Sequence, residues 1–480
     1  MVILYMKYGI IILLNWINTE NIYMKITTDK KFYRLLFSIS VPIAIQNLIT
    51  FAVSMIDTLM VGSLGEVQLS SVALANNLFF ILMILLFGLA SGSNIMISQY
   101  WGKKDVNSIH KILAIMYRVC TVIIIIFISI AALLPTQFMS IFSNDMAVIQ
   151  GGASYLRIVC IGYIFYGLTN CTIMMLRSVK TVKISMLVYS VSLLVNAFFN
   201  WVFIFGKFGF PALGIRGAAI ATVMARIAEF IIVIIFMIYF EKKIKLRPKH
   251  LLKVDKVILK DYVSTCTPVL FNELLWSTGS SMISVIVAKM GTSTVAANSI
   301  NGVAQQFVTV FIFGLSNAAA VIIGNTIGEG KKNKAMEYAF TIGVFSVITG
   351  LIASGIIYVI KPVIVNFYNV PQSTKLIAME IMSVTSIIVI FQALGSNMMM
   401  GVLRGGGDAR FVLLNDIIFM WCVAIPGGFI AVDILGLPIV AVFFIIRCDE
   451  IIKSLVSIVR VSSGKWVRDV TRNFAIEEEE

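Results

Sequence analysis

Long apolar runs separated by short polar segments recur along this whole sequence. Twelve of them reach the roughly 20 residues that an α-helix needs to cross the hydrocarbon core of a bilayer. They lack the alternation of polar and apolar residues that is typical of a membrane β-strand. Only helices and closed barrels satisfy every backbone polar group in lipid, so the runs predict an all-α polytopic membrane protein with twelve transmembrane helices.

Composition supports a membrane protein and argues against two other classes. Hydrophobic residues make up 59% of the chain and charged residues 13%, and the mean hydropathy is +0.95. A soluble globule could not bury so much apolar surface. The net charge of +14 does not indicate nucleic-acid binding, because the Lys and Arg residues cluster in alternate loops. There is no HExxH, Walker lysine motif or glycine-rich phosphate loop, so we expect no enzymatic activity and no cofactor.

Loop charge predicts the orientation of the helices. The predicted spans are 33–61, 69–98, 110–133, 148–173, 184–206, 214–240, 259–288, 295–325, 335–360, 373–400, 411–431 and 437–461. Basic residues concentrate in the even-numbered loops and at both ends, which the positive-inside rule places in the cytoplasm. We therefore expect a multi-pass protein of the plasma membrane with both termini cytoplasmic. The basic linker should lie on the anionic inner leaflet, with membrane lipids as partners.

The two halves of the chain share a pattern of proline, glycine and aromatic residues. Residues repeated at one offset of 226 are Pro42 and Pro268, Gly65 and Gly291, Phe87-Gly88-Leu89 and Phe313-Gly314-Leu315, and Gly102 and Gly328. Six helices per half is an even number, so both halves enter the membrane the same way up. The repeat predicts two six-helix lobes, related as parallel repeats around a central cleft.

This organisation divides the sequence into five segments. We predict a cytoplasmic N-terminal extension (1–32), an N-terminal lobe (33–240), a basic cytoplasmic linker (241–258), a C-terminal lobe (259–461) and a cytoplasmic tail (462–480). Residues 1–23 show neither the basic start nor the cleavage site of a signal peptide. We interpret them as a dispensable extension, with an interfacial helix as the alternative.

Several motifs resemble those of a known family in their order and spacing. They are Pro42, Asp57-Thr58, Gly62, Leu64-Gly65, Phe87-Gly88-Leu89, Gly92, Gln99 and Gly102, then Asn196-Ala197-Phe198-Phe199-Asn200, Ile204-Phe205-Gly206, Gly214, Gly217-Ala218-Ala219, Ala221-Thr222, Leu403-Arg404-Gly405 and Asp408, with a weaker Leu176-Arg177. Over residues 30–470 the chain resembles multidrug and toxic-compound extrusion (MATE) transporters, and looks closest to their prokaryotic DinF-like branch.

The resemblance implies a secondary active exporter that works by alternating access. Its substrates would be small organic, often cationic, amphiphiles, exchanged for H⁺ or Na⁺. The alternative is a flippase for lipids or polysaccharide precursors, which the wider superfamily also contains. We expect a monomer.

Asp57 is the first candidate for the coupling group. It lies deep in the first apolar run, where a charged carboxylate costs roughly 2.5–3.5 kcal/mol and therefore indicates function. Pro42 should bend this helix, as Pro268 should bend helix seven. The structural alternative is a protonated Asp57 that only bonds a neighbouring helix.

Amide and hydroxyl groups are predicted to complete the Asp57 site. Asn196 and Asn200 are four residues apart, so they share one helix face. The resemblance adds Thr222 at a position where the family shows a cation- or proton-site threonine. It also shows a departure, because Asn200 stands where the family commonly has an aspartate. One carboxylate with neutral oxygens could hold Na⁺ or a proton; alternatively, the amides serve helix packing.

Other polar residues within the apolar runs are secondary candidates for the functional site. Glu273 follows Pro268, and Gln392 is the polar residue nearest to a family aspartate in helix ten. In helix twelve, Glu450 is three residues from both Arg447 and Lys453, which predicts ion pairs. Arg226 and Glu229 have the same spacing in helix six. For these charged groups, neutralisation without function is the alternative.

Overall fold

The computed structural model describes residues 25–252 and 254–472. The predicted extension 1–23 and the last eight residues of the tail lie outside these ranges. Helices make up 85% of the structure, and the described residues contain no β-strand. Large apolar side chains are exposed along the helices, with Leu133 and Ile434 at 75% and Phe367 at 89%. Such a surface is stable only in lipid, so the protein is a multi-pass membrane protein.

Each of the twelve predicted spans is helical. The segments are α1 Lys30–Gly62, α2 Glu66–Gly102, α3 Val106–Leu133, α4 Met146–Val159 with Ile161–Ser178, α5 Lys183–Phe205, α6 Ile215–Phe240, α7 Lys256–Lys289, α8 Thr292–Gly328, α9 Lys332–Phe367, α10 Gln372–Leu403, α11 Ala409–Ile434, and α12 Ile439–Ile445 with Cys448–Ser462. Within the described ranges, nine of these are long and apolar enough to cross a membrane, and α4 makes ten if its bent halves form one span.

Two helices are broken where the sequence predicted continuity. The halves of α4 meet at Cys160 with a bend of 52°, and α12 is interrupted at Ile446 and Arg447. Arg447 has φ −117° and ψ 0°, outside the helical region. The apolar pattern continues through the break in α4, so periodicity alone gave no sign of it. At the break in α12 the sequence is charged, with Arg447, Asp449 and Glu450, and these charges were interpreted as ion pairs within one continuous helix.

The internal repeat is visible in the helix boundaries. Both α2 and α8 contain 37 residues, and each is preceded by a glycine with positive φ, 118° at Gly65 and 105° at Gly291. An L-residue with a side chain rarely adopts this conformation, so the glycine fixes the start of the helix. The starts of α2 and α8, and likewise their ends, are 226 residues apart. The duplication seen in the sequence therefore sets the local structure.

The chain forms two compact units whose borders fall inside helices. One unit is Pro42–Leu274, and the other combines the chain up to Val41 with the chain from Leu275 onward. The first unit thus holds most of α1 and the first part of α7. In this unit a Cβ on Gly92 of α2 would lie 2.9 Å from the backbone of Cys266 in α7, so the two helices meet at a glycine.

The basic linker after α6 is fixed to α3 by polar contacts. The Glu241 carboxylate accepts the backbone N–H groups of Ile244 (2.9 Å) and Lys245 (2.8 Å). His110 of α3 bonds the Ile244 carbonyl at 2.9 Å through Nε2. Lys111 of α3 forms a 2.8 Å ion pair with Asp255, and this hydrogen bond lowers the pKa of Asp255 below its usual value.

Candidate functional site

A row of buried polar side chains follows one face of α5. Ser185, Tyr189, Ser192, Asn196 and Asn200 are all buried, at spacings of four, three, four and four residues. These spacings keep the side chains on one helix face. A buried polar face needs partners, because an unpaired polar group in an apolar interior costs free energy. Groups from α1 and α6 supply them.

Asp57 of α1 meets this row at the end formed by Asn200. The Asn200 amide Nδ2 donates to Asp57 Oδ1 at 2.7 Å and to Asn196 Oδ1 at 3.1 Å. Asn200 is fully buried, and its Oδ1 accepts no hydrogen bond in the described structure. The site therefore offers the carboxylate of Asp57 and a spare amide oxygen on Asn200, both hard oxygen ligands of the type that Na⁺ takes.

Tyr155 connects Thr222 to the Asp57 site. Tyr155 lies beside Thr222 of α6 and interacts electrostatically with Asp57. Tyr155 belongs to the first half of α4 and is buried. The structure thus brings the four predicted residues into one polar region, with Thr222 joined through a tyrosine that sequence reasoning missed.

A second charged group lies further along the α5 row. Arg226 Nη1 of α6 donates to both carboxylate oxygens of Glu229, at 2.8 and 3.0 Å. Ser192 of α5 donates to Glu229 Oε1 at 2.5 Å. The guanidinium also lies 4.8 Å from the centre of the Tyr166 ring, at cation–π distance. This pair has the predicted i,i+3 spacing, and Arg226 is positioned to interact electrostatically with Asp57.

Glu273 belongs to the same compact unit as Asp57. The sequence assigned this residue to the C-terminal lobe, but the unit that contains it runs from Pro42 to Leu274. Glu273 is buried, and a Cβ on Gly88 of α2 would lie 3.3 Å from its Cγ. The close approach of α2 and α7 places this carboxylate among helices of the first half.

The predicted charge cluster of α12 also includes a carboxylate from α11. Lys453 forms ion pairs with Asp416 of α11 at 2.7 Å and with Asp449 at 2.8 Å. All three charges are nearly fully buried. Arg447 and Lys453 also interact electrostatically with Glu450, from which each is three residues away. Spacing along one helix could not reveal the carboxylate from α11.

Two further predicted or motif residues have partners within the second unit. Gln392 of α10 accepts a 3.1 Å hydrogen bond from Gln305 of α8. Asp408, buried at the start of α11, accepts a hydrogen bond from Arg460 at 2.8 Å and forms an ion pair with Arg468 of the tail at 3.0 Å. Both residues therefore have partners that join neighbouring segments of the unit.

A family model named MatE matches the chain twice, over residues 42–202 and 268–430. The chain belongs to the MatE family. The two matches begin 226 residues apart, which is the offset of the internal repeat. The resemblance to MATE transporters is therefore confirmed, while the DinF-like branch stays a prediction.

Relatives of this MatE protein match over nearly their whole length. The chain is 24% identical to a probable multidrug resistance protein NorM of Thermotoga maritima, with 90% of this chain and 92% of the relative covered. It is 24% identical to the multidrug resistance protein MdtK of Photorhabdus laumondii, with 83% and 87% covered. The structure matches an outward-facing multidrug resistance MATE family transporter of the MOP superfamily with a TM-score of 0.82, at 16% identity, covering 92% and 99%.

A second solved structure supports the same fold for this MatE chain. It is a MOP superfamily transporter from Pyrococcus furiosus, with a TM-score of 0.81, 17% identity, and 92% of this chain and 99% of that one covered. The all-helical fold predicted from the apolar runs is thereby confirmed.

Proposed function

We propose that this protein is a secondary active exporter of small organic amphiphiles, often cationic, driven by the exchange of H⁺ or Na⁺. The proposal rests on the Asp57 site, where one carboxylate meets two neutral amides. Binding of a cation or proton there changes the charge of the site by one unit. The names of the relatives, which are multidrug resistance proteins, support the same substrate class for this chain.

The chemistry of the site fits either coupling ion. Na⁺ would be held by Asp57 and by the Asn196, Asn200 and Thr222 oxygens, and a proton would sit on Asp57. Nothing in this mechanism requires a catalytic step, so we propose a transporter without enzymatic activity or cofactor. Because a ligand shifts a conformational equilibrium only by its differential affinity, occupancy of this site would favour one access state over the other.

A gradient experiment tests the exporter directly. The full chain is reconstituted in vesicles, and efflux of a fluorescent organic cation is followed under an imposed Na⁺ gradient or pH gradient, one at a time. We expect one of the two gradients to accelerate efflux, because only the coupling ion changes the charge at Asp57. Equal efflux under both gradients and without any would contradict the proposal.

We further propose a monomer in the plasma membrane with both ends in the cytoplasm and with lipid contacts along the basic linker. Lys242 is exposed in the linker, and among the described cysteines Cys422 is exposed and Cys448 half-buried. A Lys242→Cys variant lacking those two thiols should react with an impermeant maleimide in inverted vesicles only. Labelling in intact cells would reverse the proposed orientation.

A further inference from the structure

Arg177 is a buried cation in the last turn of α4, on the side that we propose to be cytoplasmic. It is 8% exposed, and it belongs to the weak Leu176-Arg177 motif that the coupling site does not use. Its Nη2 donates to the Gln46 side-chain oxygen and its Nη1 to the Met174 sulfur at 3.2 Å. The buried Nε–H has no hydrogen-bond acceptor in the described structure. A neutral amide and a thioether are weak partners for a guanidinium.

Two other buried cations of the described chain have carboxylates as partners. Arg226 is paired with Glu229, and Lys453 with two carboxylates. For Arg177, in the same described ranges, no carboxylate lies within ion-pair distance, and the side chain that interacts with it electrostatically is the Tyr189 phenol. Arginine stays protonated in proteins, so deprotonation does not remove this buried charge. The charge therefore needs a counter-ion from outside the chain.

We propose that Arg177, with Gln46 beside it, is a binding site for an oxyanion. A carboxylate or phosphate oxygen would accept the free Nε–H, which makes a charge-assisted hydrogen bond, and would neutralise the guanidinium. Two sources supply this chemistry: the carboxylate of a zwitterionic organic compound, and the phosphate of an anionic lipid. This site is separate from the Asp57 site. It would allow the unit to bind molecules that carry a negative group in addition to a cationic one.

The experiment measures binding to the full-length protein at equilibrium, without an ion gradient. The first arm compares a fluorescent xanthene dye carrying a free carboxylate with its methyl ester. The second arm counts, by native mass spectrometry, the lipids retained from vesicles of phosphatidylglycerol and phosphatidylcholine. Arg177→Gln should weaken binding of the carboxylate dye, or retention of phosphatidylglycerol, by about tenfold or more, because a hydrogen bond to a charged group is lost. The ester and phosphatidylcholine should be unaffected.

Two more variants keep the test decisive. Arg157→Gln is the control, since Arg157 is an exposed arginine at the end of the first half of α4. Gln46→Glu places a carboxylate at the position that is hydrogen-bonded to Arg177. It should therefore raise the unfolding temperature and abolish oxyanion binding. This result can be obtained even if Arg177→Gln does not fold. A response in the dye arm identifies an organic carboxylate, and one in the lipid arm a lipid phosphate. Unchanged binding in Gln46→Glu, or a lower unfolding temperature, would overturn the proposal. Both readouts are independent of export.

Discussion

Asp57→Asn is expected to reduce gradient-driven export to the rate measured without a gradient, while the protein remains folded. The Asn side chain has the shape of a neutral carboxyl and can still accept the hydrogen bond from Asn200 Nδ2. It cannot change its charge when the ion concentration changes. A ligand must favour one state about 10⁴-fold to move an equilibrium from 1:99 to 99:1, and a site without a carboxylate loses most of that preference. Vesicle efflux measures the loss of gradient-driven export, and thermal unfolding shows whether the variant remains folded.

Two matched variants show whether the effect is specific to Asp57. Glu66→Gln removes an exposed acid from the first turn of α2 and should leave export unchanged. Glu273→Gln removes another buried acid of the same unit and should cost less than Asp57→Asn. Normal export by Asp57→Asn together with loss of export in Glu273→Gln would assign the coupling group to α7 and contradict the site proposed above.

The helices and their duplication could be predicted because they depend on local properties of the sequence. A run of about 20 apolar residues forms a helix in lipid whatever its neighbours are, since no other element satisfies its backbone there. A glycine such as Gly65 marks a helix start through its own φ angle. The break in α4 could not be predicted from the same pattern, because apolar residues continue through it. The break in α12 lies at Arg447, but a charged residue inside an apolar run does not by itself distinguish a break from an ion pair in a continuous helix.

The polar groups of the site were predictable only where they share one helix. Asn196 and Asn200 follow from a spacing of four, and Asp57 from the cost of its charge in lipid. Tyr155 was missed because a tyrosine in an apolar segment looks like an ordinary core residue. The ion pair between Lys453 and Asp416 was missed because spacing within α12 contains no information about a residue of α11. Contacts between helices depend on packing, which one sequence does not reveal.

Lys453→Met is expected to destabilise the protein by about 3–5 kcal/mol, the usual cost of removing one partner of a buried ion pair. Lys453 is 4% exposed and lies between Asp416 and Asp449. Methionine fills a similar volume but removes the ammonium that forms an ion pair with both buried carboxylates. Thermal unfolding of the purified protein should show a clear drop in the transition temperature. Lys332→Met, an exposed lysine at the start of α9, should show almost none.

Neutralising the carboxylates distinguishes lost charge from lost packing. The variant that combines Lys453→Met with Asp416→Asn and Asp449→Asn should regain most of the stability, because the two carboxylates that were paired with Lys453 are then neutral. If Lys453→Met alone unfolds at the temperature of the unmodified protein, the two carboxylates do not depend on the ammonium. Added Na⁺ should partly restore the single variant, since the two carboxylates that lost the ammonium then attract a cation from solution. In the unmodified protein the Lys453 ammonium offsets one of the two carboxylate charges, so added Na⁺ should stabilise it less than it stabilises the single variant.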